Sequence, residues 1–196
     1  MTRVSGWRRL GNGLGLVVLL AIGWVVSQST PSEEVWAGPI EVSGEVGESL
    51  AGRNIEAVVS EVRIAEEVVA STGWTGTTTG VWVVVDASAS AVVQEFGTTL
   101  GTAELVVDGT TYSASTRPDT ETLAKKGLTV GVPLTGPLMF EVPRELVTSQ
   151  LAQNSHILLA VNSDPRSDSL IVVEVDLTAL PIMPSVETGE LVWGEQ

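Results

Sequence analysis

The sequence predicts an all-β domain, an antiparallel β-sandwich of about seven or eight strands, preceded by one N-terminal transmembrane helix. Three observations carry that prediction. An uncharged apolar run lies near the amino terminus. Short runs of β-branched residues alternate with polar ones over most of the remainder. Gly, Pro, Asp and Thr break those runs at intervals close to those of a sandwich.

No charged residue stands between Arg9 and Glu33, a run of 23 positions. Ten of the residues from Leu10 to Val26 are Leu, Val or Ile. At roughly −0.3 to −0.6 kcal/mol each they favour insertion by about 3 to 6 kcal/mol at most. Trp7 and Trp24 are 17 positions apart, about 26 Å along a helix, which suits the two interfaces of a hydrocarbon core roughly 30 Å thick. Arg3, Arg8 and Arg9 precede the run and acids from Glu33 to Glu48 follow it, which puts the amino terminus in the cytoplasm and the rest outside. A cleaved signal peptide is the competing reading. Gly13 to Val26 has the length of an h-region and Ser27-Gln28-Ser29 offers a small-x-small site, although bulky Trp24 sits badly beside a cleavage site. Gly11 and Gly15 form a GxxxG spacing, which a Gly-rich segment at the membrane edge also produces by chance.

The chain then divides into a cytoplasmic basic tail (1–9), a signal anchor (10–29), an acidic stalk or irregular lead-in strand (30–44), the sandwich (45–177) and a C-terminal tail or edge strand (178–196). Within the sandwich, Ile55, Ala57 and Val59 lie on odd positions but Val62 and Ile64 on even ones. A one-residue slip would turn the apolar face outward, so a β-bulge near Ser60-Glu61 is expected, with a helix over 61–69 as the alternative. Ser71 to Gly80 reads as a long flexible loop carrying Trp74. Val81, Val83, Val85, Ala87, Ala89 and Ala91 then form one apolar face against Asp86, Ser88 and Ser90, a half-buried strand. Asp108-Gly109 joins 103–107 to 110–115 as a type I′ hairpin. Pro118-Asp119 opens a short helical turn, with Glu121 early, Lys125 and Lys126 late and Gly127 as its stop. Leu138, Phe140 and Val142 make a further strand face, as do Ile157, Leu159 and Val161, and Ile171, Val173, Val175 and Leu177. Pro181 and Pro184 confine the last segment to a tail or an edge, and Trp193 suggests that it docks on something.

Composition narrows the chemistry. The 196 residues include no cysteine and one histidine, with Lys+Arg 10 against Asp+Glu 24. Disulfides, thiolate metal sites, Cys nucleophiles and lipoprotein attachment are excluded, and one imidazole is left for acid–base work. Beyond Ser32 seven bases face all 24 acids, a net of −17, which repels phosphate backbones and makes nucleic acid an unsuitable partner. His156 lies opposite the core face of its strand, and no G-x-S-x-G elbow presents a serine to it. Lys125 and Lys126 are preceded at helical spacing by Thr122, not by the Ser of a Ser-Lys pair. Glu33-Glu34 and Glu66-Glu67 read as solvated neighbours. Asn162, Asp164 and Asp168 place oxygen ligands on one loop, as calcium requires, yet Asn-Ser-Asp-Pro is also ordinary turn chemistry. Trp74 is a contact anchor if it stays exposed, and packing if it folds back over the sandwich end. Trp82 and Tyr112 read as packing residues.

Several of these residues carry a resemblance. Gly80-Val81-Trp82-Val83-Val84-Val85-Asp86, then Leu105 with Asp108-Gly109 and Tyr112, then Gly131-Val132-Pro133 and Gly136-Pro137-Leu138-Met139-Phe140-Glu141-Val142-Pro143 follow one another in order. This resembles the uncharacterised telokin-like family of Gram-positive, actinobacterial cell-surface proteins, immunoglobulin-like sandwiches related in shape to secreted mycobacterial immunoprotective antigens. The similarity covers about Glu45 to Leu177. It departs from the family where Ala91-Val92-Val93 continues apolar in place of an Asn. The resemblance implies an immunoglobulin-like fold and a cell-surface address and brings no catalytic residues.

The expected protein is therefore a membrane-anchored, extracytoplasmic interaction module of the cell envelope, not an enzyme. It has no cofactor, a single helix in the membrane, an envelope protein as partner, and Trp74 and Trp193 as contact residues. An exported carboxylate-dependent hydrolase of wall polymers and a calcium-responsive adhesion module are the alternatives.

Overall fold

A computed structural model of the chain describes residues 6–29, 38–93, 98–118, 121–124, 126–166 and 168–194, with side chains in the first range from 11 to 28. Pro31, Glu33-Glu34, Asp119 and Lys125 lie outside the described residues. The chain forms two compact units, divided after Gly38. In the first, α1 (Gly6–Ser29) is continuous, with no proline inside it. Among the described residues it is the one helix long and apolar enough to cross a membrane.

The second unit is a two-sheet sandwich. One sheet has the order β1 (Ile40–Glu45), β9 (Ser169–Val175), β8 (Ser155–Ala160), β5 (Thr102–Val107) and β6 (Thr110–Ser113). The other has the order β10 (Ile182–Thr188), β3 (Ile55–Ala70), β4 (Thr75–Ala91), β7 (Leu134–Val142) and β11 (Val192–Trp193), with β2 (Ser49–Ala51) also paired to β3. The neighbours β9-β8-β5-β6 correspond to the G-F-C-C′ strands of an immunoglobulin sandwich and β3-β4-β7 to A-B-E. Between the sheets lies one core, to which Ile55, Val83, Leu105, Phe140, Ile157 and Ile171 contribute fully buried side chains.

Local sequence accounts for much of this. The β3–β4 ladder skips a residue between Val59 and Glu61, so the bulge falls where the apolar phase changes. The segment 61–69 is strand, not helix, because pairing with β4 on one side and β10 on the other satisfies its backbone. Asp108 and Gly109 take positive φ angles of 50° and 71°, as a type I′ turn demands.

Other expectations are corrected. Eleven strands are described, and two pairings, β1 with β9 and β10 with β3, are parallel. Of the stalk or lead-in strand expected over 30–44, the described part includes β1 from Ile40, and the tail or edge strand expected over 178–196 is edge strand, supplying β10 and β11 at the two edges of the second sheet. The loop expected over 71–80 is a tight turn, with β4 resuming at Thr75. It is held by Glu121, 5% exposed, which accepts hydrogen bonds from Ser71 Oγ (2.8 Å), Thr72 N (3.0 Å) and Thr72 Oγ1 (3.2 Å). Glu121 therefore caps a distant turn and does not open a helix. Leu123 N donates to the Pro137 carbonyl at 2.9 Å, which draws the described part of 118–127 onto β7 as successive turns.

The strand β4 is not half-buried, because both its faces are covered. Val68, Trp74, Met183 and Val186 close over Trp82, Val84 and Met139 on the side away from the main core. Trp74 meets Trp82 edge to face, with ring centroids 6.4 Å apart. Farther along the same face Arg63 Nη2 donates to Asp86, and Nη1 to the Glu187 carbonyl at 3.3 Å. Burial pushes the Asp86 carboxyl above its usual range, and Arg63 opposes that only in part.

Two predictions follow from the covered face. Trp82→Ala should lower stability by about 3–5 kcal/mol in urea unfolding, whereas Trp193→Ala at the exposed edge should change it by about 0.5 kcal/mol or less. Because the folded pKa of Asp86 is raised, its contribution to stability is complete below the unfolded value near 3.8 and is lost as pH rises through the folded value. The melting temperature of the wild type relative to Asp86→Asn should therefore fall between acid and neutral pH, and a parallel pair of curves would refute this.

Candidate functional site

A concavity lies on the outer face of the first sheet, at the end where β1 and β9 finish and β8 starts. It is a groove of about 610 Å³ lined by Glu45, Gln153, Asn154, His156, Glu174 and Asp176, among others. Strand register builds it. Glu45 stands opposite Glu174 in the parallel β1–β9 pair, and Glu174 opposite His156 in the antiparallel β8–β9 pair. The intervening Ile157 and Val173 point into the core, so the three polar side chains share the outward face. Neighbours in such a row have Cβ atoms about 5 Å apart. A bend of 3₁₀ helix, Gln150–Asn154, closes one side; its first turn is capped by Ser149 Oγ, which accepts from Leu151 N at 3.0 Å.

Two carboxylates beside an imidazole give the groove acceptors and negative charge. That chemistry fits an amine, a guanidinium or a hydroxyl-rich group. His156 is half-buried and its Nδ1 has no partner among the described residues. The nearest hydroxyl in sequence, Ser155, is fully buried on the core side and donates to the Ala152 carbonyl at 3.0 Å, so it is not presented to the imidazole. Glu45 and Glu174 are both exposed to water.

The other expected site residues are dispersed. Trp74 packs against Trp82, so it serves the fold, while Trp193 is 51% exposed on β11. Tyr112 packs partly against the core. Glu66 pairs with Arg144, and the Thr122 hydroxyl donates to the Pro137 carbonyl at 3.2 Å. The loop with Asn162, Asp164 and Asp168 is organised by hydrogen bonds. Asp168 accepts from Asn54 Nδ2 (2.5 Å), Asn162 Nδ2 (2.7 Å) and Ser169 N (2.8 Å). Asp164 faces Arg166 at 2.5 Å, whose hydrogen bond holds its carboxyl below the usual range. Among the described residues no three His, Asp or Glu side chains are grouped to hold a metal ion.

Fold and groove together define an immunoglobulin-type β-sandwich with an apolar N-terminal helix and an acidic groove at one end of a sheet. No protein-family model and no curated protein matches the chain. Two solved structures are similar to it. One is an uncharacterised β-sandwich protein of Clostridium difficile, 12% identical, covering 74% of this chain and 99% of its own, with a TM-score of 0.45. The other is a candidate lipoprotein of Staphylococcus aureus, 9% identical, covering 73% of this chain and 97% of its own, with a TM-score of 0.46.

Loss of the Asp168 acceptor should be felt as loss of structure. Asp168→Ala should cost about 1–3 kcal/mol, and millimolar calcium should leave the melting temperature of the wild type where it was; a calcium-dependent rise would restore the adhesion reading.

Proposed function

We propose that the chain is a membrane-anchored, extracytoplasmic binding module of the cell envelope, of the telokin-like kind, and that it works by contact and not by catalysis. The apolar helix α1 supports the anchor, and the bases before it with acids after it support an outward domain. The observation that carries the reading is the groove. Its polar row sits on paired strands backed by the core, so it is a rigid surface that binds with little ordering cost. Its occupant is a basic or hydroxyl-rich group of another envelope protein, set against Glu45, Glu174 and His156. Trp74 leaves the expected contact set, and Trp193 lies at the opposite end of the sandwich.

A second reading has one observation on its side. Glu45 and Glu174 are adjacent carboxylates, which an exported glycoside hydrolase would require. Hydrolysis of wall polymers that disappears in Glu174→Gln would establish it.

For the binding module, a photo-reactive residue at position 156 in whole cells should yield one discrete cross-linked species that Glu174→Ala abolishes. The same residue at position 132, at the opposite end of the sandwich, should yield none. Identical patterns from both positions would sink the groove as the binding surface. Protease added outside intact cells should remove the sandwich, and protection from it would reverse the orientation.

A further inference from the structure

We propose that the end of the sandwich at which β1 begins is a lipid-contacting surface, whose apolar crest sits among the headgroups of the bilayer that α1 enters. This rests on the anchored reading above and adds a second surface to it.

Outside α1, eight large apolar side chains are exposed among the described residues. Six of them, Ile40, Val92, Val93, Val132, Val192 and Trp193, belong to one end, and Val93, Ile40 and Trp193 are 68%, 56% and 51% exposed. Backbone hydrogen bonds tie them together. Ile40 N donates to the Asp168 carbonyl at 2.7 Å, Val92 N to the Asn54 carbonyl at 3.1 Å, Gly131 N to the Ala91 carbonyl at 3.0 Å and Gly194 N to the Pro133 carbonyl at 2.9 Å. Asn54 in turn holds Asp168. The crest is therefore assembled from both sheets, by strand ends adjacent in space and far apart in sequence.

The polar groups beneath it are already engaged. The Asp168 carboxylate accepts three hydrogen bonds and Asp164 faces Arg166. Arg53 is exposed beside the crest, where lipid phosphates accept hydrogen bonds from guanidinium groups. Trp193 brings the amphipathic ring that is enriched at membrane interfaces.

The tether selects lipid over another occupant. Ile40 follows Ser29, the end of α1, by eleven residues, a span of at most about 40 Å. The chain enters the sandwich at the crest itself. Covalent attachment keeps that end within reach of the headgroups at high effective concentration, whereas any other face meets them only after the sandwich turns over. A second copy or a protein partner would have to displace a surface that is always present.

The absence of cysteine makes site-specific labelling direct. Val93→Cys and Trp193→Cys at the crest, and Leu151→Cys at the far end, each give one attachment point for an environment-sensitive dye at an exposed position. The full chain is reconstituted into vesicles of phosphatidylcholine and phosphatidylglycerol, with and without a lipid bearing a headgroup-level nitroxide. The crest labels should shift to the blue and be quenched about twofold or more, as expected for shallow burial at the interface, and the label at 151 should be unaffected. Vesicles that float with the protein while all three labels stay equally unquenched would overturn the proposal and leave the anchor standing. Protein that does not float with vesicles would remove the anchor and the proposal with it. A blue shift at the crest without lipid quenching, accompanied by dimers in cross-linking, would assign the crest to a second copy and overturn the proposal.

Discussion

β4 is closed from both sides, and the second unit depends on that closure. With no cysteine, the sandwich must be held by packing. The inner valines and alanines of β4 face the first sheet, while Trp82 and Val84 are sealed on the opposite side by side chains from β3, β7, β10 and the turn before β4. A strand covered on one face would leave the Trp82 ring in water. Covering both faces removes it, and it draws the C-terminal segment into the fold as the strand that completes the outer layer. Because β3 and β7 flank β4, its position sets the platform on which the first sheet packs.

What could be read from the chain was local. The bulge at Ser60, the Asp108-Gly109 turn and the inner face of β4 each follow from residues within a short window, where backbone preference and alternation act directly. The outer face of β4 could not be read that way. Its cover includes Met183 and Val186, a hundred residues downstream, and Ser88 and Ser90 look solvent-facing by composition while being almost fully buried. Glu121 was legible as an acid and not as the holder of the Ser71–Thr72 turn, because nothing in its neighbourhood names a partner fifty residues upstream. The parallel partners of the two edge strands are not legible for a related reason: parallel pairing joins segments without a turn signal. The groove inherits that difficulty. His156 is visible in the sequence, but its neighbours Glu174 and Glu45 are set by register between three strands, one of which the sequence offers as a stalk or a lead-in strand.

Charge is distributed unevenly. Arg63, Arg117, Arg144 and Arg166 are each engaged by at least one acid, and exposed pairs of this kind add little to stability. Their effect is to neutralise most of the few bases where they stand, so the remaining surface expresses the acid excess. The row at the groove is one expression of it. The crest at the opposite end differs in character, with its acids held inside a loop and valine and tryptophan outermost. One sandwich thus presents two chemically distinct ends, separated along β9 by about 20 Å.

The parallel docking of β1 also sets how the domain bears mechanical load. All six residues of β1 are in register with β9. A pull on the first residue of β1 against the far end of the sandwich would run along the strand axis, so the bonds between β1 and β9 would be sheared together and not unzipped singly. The edge strand is a brace, and such a pull would have to break the whole ladder at once before the core felt it.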